Sequence, residues 1–311
     1  MIAVSSICSG ISPERAIGFA CELQERLGFG VGLELVSTRS TPPQSFLADA
    51  LDCEVSITSL HGPSLFPPRE TPAQRVEATF WRQIQGGVSF GPDGTSKLNN
   101  PAFEMGETWG LPVVIHGLAA LRLILRGQGT ANQTLGKAII RIENDKEILS
   151  PVASKEYMPF RLAVQTAAIL TSIGFNVGGI CLDIGHLAED AVKHRGWQGD
   201  PHAFVRKFVL PAEELAAEAG FDIVELHLHD FDARRCRDHL PPGKGCLPFG
   251  PILEHFLSRD PIPQLTLEVV PDVLHYLALS SRLRWGYEKV LDQVEGSIRY
   301  LQSIAPQDAF V

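Results

Sequence analysis

The chain has 311 residues, 44% hydrophobic and 20% charged, with a formal net charge of −9. That apolar fraction suffices for a sizeable core and excludes a disordered chain. The acidic balance argues against nucleic acid or an anionic membrane as partner, because both need a basic face.

Six cysteines, at 8, 21, 53, 181, 236 and 246, show no C-x-x-C spacing and read as reduced thiols of a cytoplasmic protein. The N-terminus MIAVSSICSG has neither a basic start nor a long apolar run, so no signal peptide is expected. No run of about 18 apolar residues is present, so no membrane-spanning helix is expected.

In chain order, short apolar strands are expected at Ile2–Ile7, Val31–Val36, Glu54–Leu60, Pro112–His116, Lys137–Glu143, Val177–Asp183, Ile223–His229 and Gln264–Val269. Helices lie between them. Ser12 before Pro13 caps a helix over Ser12–Leu27, and Thr71 before Pro72 caps another over Thr71–Gln85. Lys155–Ile173 and Pro201–Ala219 read as long helices stopped by Gly174 and Gly220. Val290, Leu291, Val294, Ile298 and Leu301 recur at helical spacing, so Trp285–Ile304 should pack on the body of the fold. The Pro-rich segment His61–Glu70, carrying Phe66, reads as a rim, and the Gly/Asn/Ser-rich segment Gly86–Asn100 as a surface loop.

Alternation of strand and helix means parallel β-α-β units. Such units in this length predict a single (β/α)8 TIM barrel over residues 1–311, with a helical extension from about residue 270. An open doubly wound sheet is the alternative, disfavoured by the lack of a Gly-rich loop after the first strand. Strand parity supports the barrel: Ile142, Leu226, Leu228, Leu265 and Leu267 should face the helices, and Arg141, Glu143, Glu225, His227, Thr266 and Glu268 the axis.

Glu34, His61, His116, Glu143, Asp183, His227 and Glu268 fall at or near the C-terminal ends of different strands. Those ends converge on the face where barrels carry chemistry. Taken singly, each residue reads as an ion-pair partner or a core histidine. As a set they crowd carboxylates together, which calls for a cation, and mixed carboxylate and imidazole donors suit Mn, Co, Zn, Mg or Fe. Cys181 shares the parity of Asp183 but lies deeper in the barrel.

With these residues in place the chain resembles the xylose isomerase-like TIM-barrel superfamily of sugar isomerases, epimerases and endonuclease IV-type enzymes. The matching pieces are Leu60-His61-Gly62-Pro63, Val114-Ile115-His116-Gly117, Ile142-Glu143-Asn144, Leu182-Asp183-Ile184-Gly185-His186, His227-Leu228-His229-Asp230, His239-Leu240-Pro241-Pro242-Gly243-Lys244-Gly245 and Leu267-Glu268-Val269. The resemblance implies one divalent metal on Glu143, Asp183, His227 and Glu268, with His229 open as the alternative on the seventh strand. It implies a second metal on His61 and His116 with Glu143 in the endonuclease branch. A third metal there needs an aspartate two residues before His239, and this chain has Arg237, which cannot ligate a cation.

The favoured expectation is a sugar, polyol or keto-acid isomerase or epimerase. Glu143 and Glu268 would be its base and acid around a metal-stabilised enediolate, and His186, His229, Arg234 and His239 would contact substrate. The competing expectations are an endonuclease IV-like phosphodiesterase, another metal-dependent lyase or oxidase, and a barrel that binds a metabolite without chemistry. The oligomeric state stays open, with a homo-oligomer compatible with such barrels.

Overall fold

A computed structural model of the protein describes residues 1–9, 13–36, 46–62, 89–90, 96–97, 102–126, 137–145, 158–197, 200–235, 237–270 and 284–305. The strands β1 (Ile2–Ser5), β2 (Val31–Val36), β3 (Ser56–His61), β4 (Val113–His116), β5 (Ile140–Glu143), β6 (Val177–Asp183), β7 (Ile223–Leu228) and β8 (Gln264–Leu267) close into a barrel. All neighbours are parallel, and closure comes from β8 pairing with β1, Ile2 opposite Leu265 and Val4 opposite Leu267. This is the (β/α)8 TIM barrel that the strand pattern predicts, and it rules out the open sheet.

The two faces of each strand separate as the alternation requires. Ile142, Leu226, Leu228, Leu265 and Leu267 are at most 2% exposed and belong to the apolar cluster shared with the helices. Burying each such side chain contributes about 1.5–3 kcal/mol. The opposite parity meets across the axis. Glu225 on β7 accepts hydrogen bonds from Arg141 on β5 (2.6 Å), Ser59 on β3 (3.2 Å), and Gln264 and Thr266 on β8 (2.8 and 2.7 Å). The bonds from β3 and β5, which do not neighbour β7, are made only by side chains pointing to the centre of the barrel. Register shifts at Leu33/Glu34, Ile140/Arg141 and Ile180/Cys181 re-aim three of the strands just below the mouth.

Several helices differ in detail from expectation. The helix expected over Lys155–Ile173 runs over Met158–Ser172 among the described residues, and Gly174 takes a positive φ of 91° where it ends. The one expected over Pro201–Ala219 is three pieces, Pro201–Phe204, a π segment at Val205–Val209, and Leu210–Glu218. Pro211 explains the break: it has no N–H to give to the preceding turn, and the wider turn accommodates it. After β7 the chain forms a hairpin, Asp230–Asp232 against Arg237–Leu240, which the alternating pattern does not predict. Ser89–Phe90 and Ser96–Lys97 form a second small hairpin inside the expected surface loop. The Ser12 and Thr71 caps, the helix over Thr71–Gln85 and Phe66 lie outside the described residues. Among the described residues no helix is long and apolar enough to cross a membrane.

The C-terminal helix Arg284–Ile304 buries Val290, Leu291, Val294, Ile298 and Leu301 to 1% exposure or less. It is also tied to the first helix, Pro13–Leu27, through Arg26, whose guanidinium meets Glu22 (3.1 Å), Glu288 (2.6 Å), Asp292 (2.9 Å) and Glu295 (3.6 Å). Arg299 adds a bond to the Arg26 carbonyl (2.7 Å). One cation thus holds several acids that would otherwise repel. Arg26→Ala is expected to lower stability by about 1–2 kcal/mol in denaturant unfolding, with the deficit shrinking in high salt. An unchanged midpoint at low salt would show that the network holds nothing.

Candidate metal centre

The barrel's C-terminal ends gather the ionisable residues that the sequence singles out. Glu34, Glu143, Asp183, His227 and Glu268 are at most 4% exposed, as are His61, His186 and His229. Around them lie His116 and His239, whose side chains are 14% and 13% exposed.

Five overlapping groups of donor atoms result among the described residues, each within 4.8 Å of its own members: Glu143, Asp183, His227 and Glu268; His61, His116 and Glu143; Asp183, His186, His229 and His239; His61, His227 and Glu268; and, deeper, Cys181, Glu225 and His227. In the first group His227 Nδ1 lies 3.3 Å from Glu143 Oε1 and 3.3 Å from Glu268 Oε2. In the second, Glu143 Oε2 is 3.1 Å from His61 Nε2 and 3.6 Å from His116 Nδ1. In the third, His229 Nε2 is 3.0 Å from Asp183, His186 Nδ1 is 3.5 Å from it, and the His229 and His239 rings stack at 4.0 Å. Donors around one cation with bonds of about 2.1 Å stand about 3.0–3.4 Å apart, so the spacing of the first group suits a divalent ion.

Local structure explains the aim of each side chain. Asp183 ends β6 and caps helix Ile184–Arg195, its Oδ1 accepting from the His186 N–H (2.7 Å). Asn144 clamps the same residue, its side chain bonding the Asp183 N–H (2.7 Å) and carbonyl (3.0 Å). Sequence reading gives Asn144 no role, although it sits next to Glu143 in a quoted motif. His61 donates from Nδ1 to the Gly62 carbonyl (2.9 Å), which turns Nε2 towards Glu143. Gly185 leaves room for the His229 ring, since a Cβ there would collide with it. Arg234 stands apart. It is exposed at the turn of the hairpin after β7, as is Arg235, and its backbone N–H donates to Asp232 (2.9 Å), while Arg237 is exposed at the start of the second hairpin strand.

Charge here is settled by opposition between burial and neighbours. Burial pushes the carboxyls of Glu143, Asp183 and Glu268 up, but adjacent imidazoles outweigh it and hold all three below their usual range. Burial takes His116 down to about 4. For His61 burial is overcome by Glu143, Glu34 and Glu268, and it rises to about 10; His227 rises for the same kind of reason. Glu34 is pushed up by burial against the pull of His227 and His61.

A cation fits this donor set. Glu143 Oε1, His227 Nδ1, His116 Nδ1 and His186 Nε2 are buried without a hydrogen-bond partner, a costly state that a metal or a bound substrate would relieve.

No protein-family model and no curated protein matches the sequence. Solved structures similar to it include the IolI protein with a bound zinc atom, at 12% identity over 97% of this chain and 98% of that one, TM-score 0.49. D-psicose 3-epimerase from Clostridium cellulolyticum H10 with D-tagatose follows at 14% over 97% and 98%, TM-score 0.49. Endonuclease IV from Thermus thermophilus stands at 17% over 93% and 98%, TM-score 0.45. At such identities the reaction has to be read from the side chains themselves.

The protonation pattern gives a test. His227 carries a proton near neutral pH in the metal-free site, and a metal that takes Nδ1 as a ligand must displace it. Zinc binding at pH 7.5 is expected to release protons, seen as a dependence of the calorimetric heat on buffer ionisation enthalpy. Affinity should weaken by about tenfold per displaced proton for each pH unit of acidification. Binding with no proton release would contradict this charge assignment.

Proposed function

We propose that the protein is a divalent-metal-dependent isomerase or epimerase of a small sugar-like substrate, with the cation held by Glu143, Asp183, His227 and Glu268. The observation that carries this reading is the pair Glu143 and Glu268. They arrive from strands three positions apart in the barrel and both lie 3.3 Å from His227 Nδ1. That arrangement puts two carboxylates on different sides of one small volume, as proton removal from one face of a carbon and return to another requires.

A divalent ion bound there would act as a Lewis acid on adjacent carbonyl and hydroxyl oxygens of the substrate. The remaining work belongs to the chain. Glu143, kept ionised by His227 and His61, is placed to accept a proton, and Glu268, ionised by His227 and His61, to take part from the other side. His186 Nε2, buried and without a partner, is placed to accept from a substrate hydroxyl, its Nδ1–H being given to the Asn144 carbonyl (3.0 Å). His227 is the β7 ligand in this reading. Its Nδ1 faces the carboxylates, while Nε2 backs onto Glu34 at 3.3 Å and Glu225 at 3.7 Å.

A phosphodiesterase of endonuclease IV type is the second reading. It is favoured by the way Glu143 turns one oxygen to His227 and the other to His61 and His116, as a carboxylate shared by two metals would. The net charge of −9 and Arg237 in place of an acid count against it, and the exposed run Arg234, Arg235 and Arg237 is too short to reverse that balance.

Elemental analysis of protein purified without chelator separates the two. About one Mn, Co or Mg per chain supports the isomerase reading, and two or three Zn or Fe support the hydrolase. A ketose panel in deuterated water should then show deuterium incorporation that Glu143→Gln and Glu268→Gln each reduce by at least about a thousandfold. Full activity in both variants would overturn the catalytic assignment.

A further inference from the structure

We infer that His229 is a positioning residue, a hydrogen-bond donor to Asp183 and not a metal ligand, and that its tautomer is set by the loop that follows β7. This inference rests on the reading that Asp183 holds a metal. Distance alone leaves His229 among the candidate ligands, since its Nε2 reaches Asp183 at 3.0 Å within the group that includes His186 and His239. The other ring nitrogen decides the matter. The backbone N–H of His239 donates to His229 Nδ1 at 2.9 Å. An amide N–H can only donate, and at 2.9 Å it outcompetes the alternative in which Nδ1 donates to the Asp230 carbonyl at 3.4 Å, so Nδ1 is the acceptor and the proton of the ring sits on Nε2. The Asp183 charge stabilises a proton in that place. To ligate a metal, Nε2 would have to give that proton up. The ring would then carry it on Nδ1, against the amide hydrogen of His239.

The amide is held where it is. His239 has a φ of 53°, a left-handed conformation that side-chain-bearing residues rarely adopt without support from their surroundings. The support comes from Asp230, buried at the base of the same hairpin. Its carboxylate accepts from the N–H groups of Phe231 (2.9 Å), Gly243 (3.0 Å), Gly245 (2.8 Å) and Leu247 (3.0 Å), pinning both ends of the Pro241–Leu247 loop. Gly245 has no room for a side chain, as a Cβ would run into the Asp230 carboxylate. The His229 ring is further enclosed between Gly185 and the parallel ring of His239.

A continuous path results. Asp230 fixes the loop, the loop fixes the His239 amide, the amide fixes the His229 tautomer, and His229 fixes the Asp183 carboxylate. Asp183 Oδ1 is also held by the His186 N–H, so the carboxylate has little freedom to turn. A donor of this kind behind a ligating carboxylate orients it, and its loss typically weakens metal affinity by about 10–100-fold.

The test uses long-range proton–nitrogen spectra of the full-length, 15N-labelled protein, with His229 assigned by the signals lost in His229→Gln. The expected pattern is an unprotonated Nδ1 and a protonated Nε2, both before and after zinc loading. His229→Ala and His229→Gln should take up as much zinc per chain at saturation as the unsubstituted protein. His229→Ala should bind it about 10–100-fold more weakly, and His229→Gln, which keeps an N–H donor, should recover most of the loss. A purely structural role would lower melting temperature without this split between stoichiometry and affinity. Loss of the Nε2 proton on zinc loading, or one zinc fewer in His229→Ala, overturns the inference. The spectra of the unsubstituted protein decide it even if His229→Ala does not fold. Failure of the unsubstituted protein to take up zinc overturns the metal reading itself, a result distinct from a shortfall confined to the variant.

Discussion

Everything at the mouth of this barrel follows from burying acids together. Glu34, Glu143, Asp183, Glu225 and Glu268 are all at most 4% exposed, and isolated carboxylates at that depth would be forced to take up protons. The barrel resolves the conflict in two ways at two depths. Lower down, Glu225 is matched inside the fold by Arg141, Ser59, Gln264 and Thr266. In that layer one guanidinium and three neutral donors answer the carboxylate. Above it, Glu143, Asp183 and Glu268 are matched by imidazoles, which give their protons up to a metal where a guanidinium cannot. The boundary between structure and chemistry is therefore the boundary between Arg141 and His227, carried on β5 and β7.

This division is legible in the sequence because a strand has period two and a barrel has one inside. Parity in Ile139-Ile140-Arg141-Ile142-Glu143 and Val224-Glu225-Leu226-His227-Leu228 assigns each side chain to the axis or to the helices with no knowledge of tertiary contacts. Position along the strand assigns depth, so Arg141 and Glu225 fall below Glu143 and His227. The closing helix is equally readable, since Val290, Leu291, Val294, Ile298 and Leu301 keep one stripe over three turns.

What the sequence does not reveal lies where the backbone leaves those periods. The hairpin after β7 has no alternation of its own, and its shape depends on Asp230 collecting four amides from residues up to seventeen positions away. His227 and His229 have the same parity, so period two cannot choose between them. The choice comes from an amide ten residues on, at His239. The π segment and the register shifts are similar, being local responses to Pro211 and to the stagger of a closed sheet. The place of Arg234 in the sequence draws it towards the site, whereas the turn of the hairpin carries it outward into solvent.

The contact between His61 and Glu143 links metal count to reaction type. His61 Nδ1 is committed to the Gly62 carbonyl, so Nε2 and Glu143 Oε2 face each other at 3.1 Å. Two lone pairs do not rest at that distance with nothing between them, and either a proton or a cation must lie there. With a proton, His61 is an imidazolium, as its rise to about 10 implies, and Glu143 keeps one oxygen in that ion pair and the other towards His227. This state suits single-cation proton transfer, since Glu143 stays ionised next to the substrate. With a cation, the same carboxylate is drawn to metals at both oxygens, loses basicity, and serves hydrolysis by two metals better than abstraction of a proton from carbon. The two functional readings therefore differ at one position a few ångströms across, between a ring nitrogen on β3 and a carboxylate oxygen on β5.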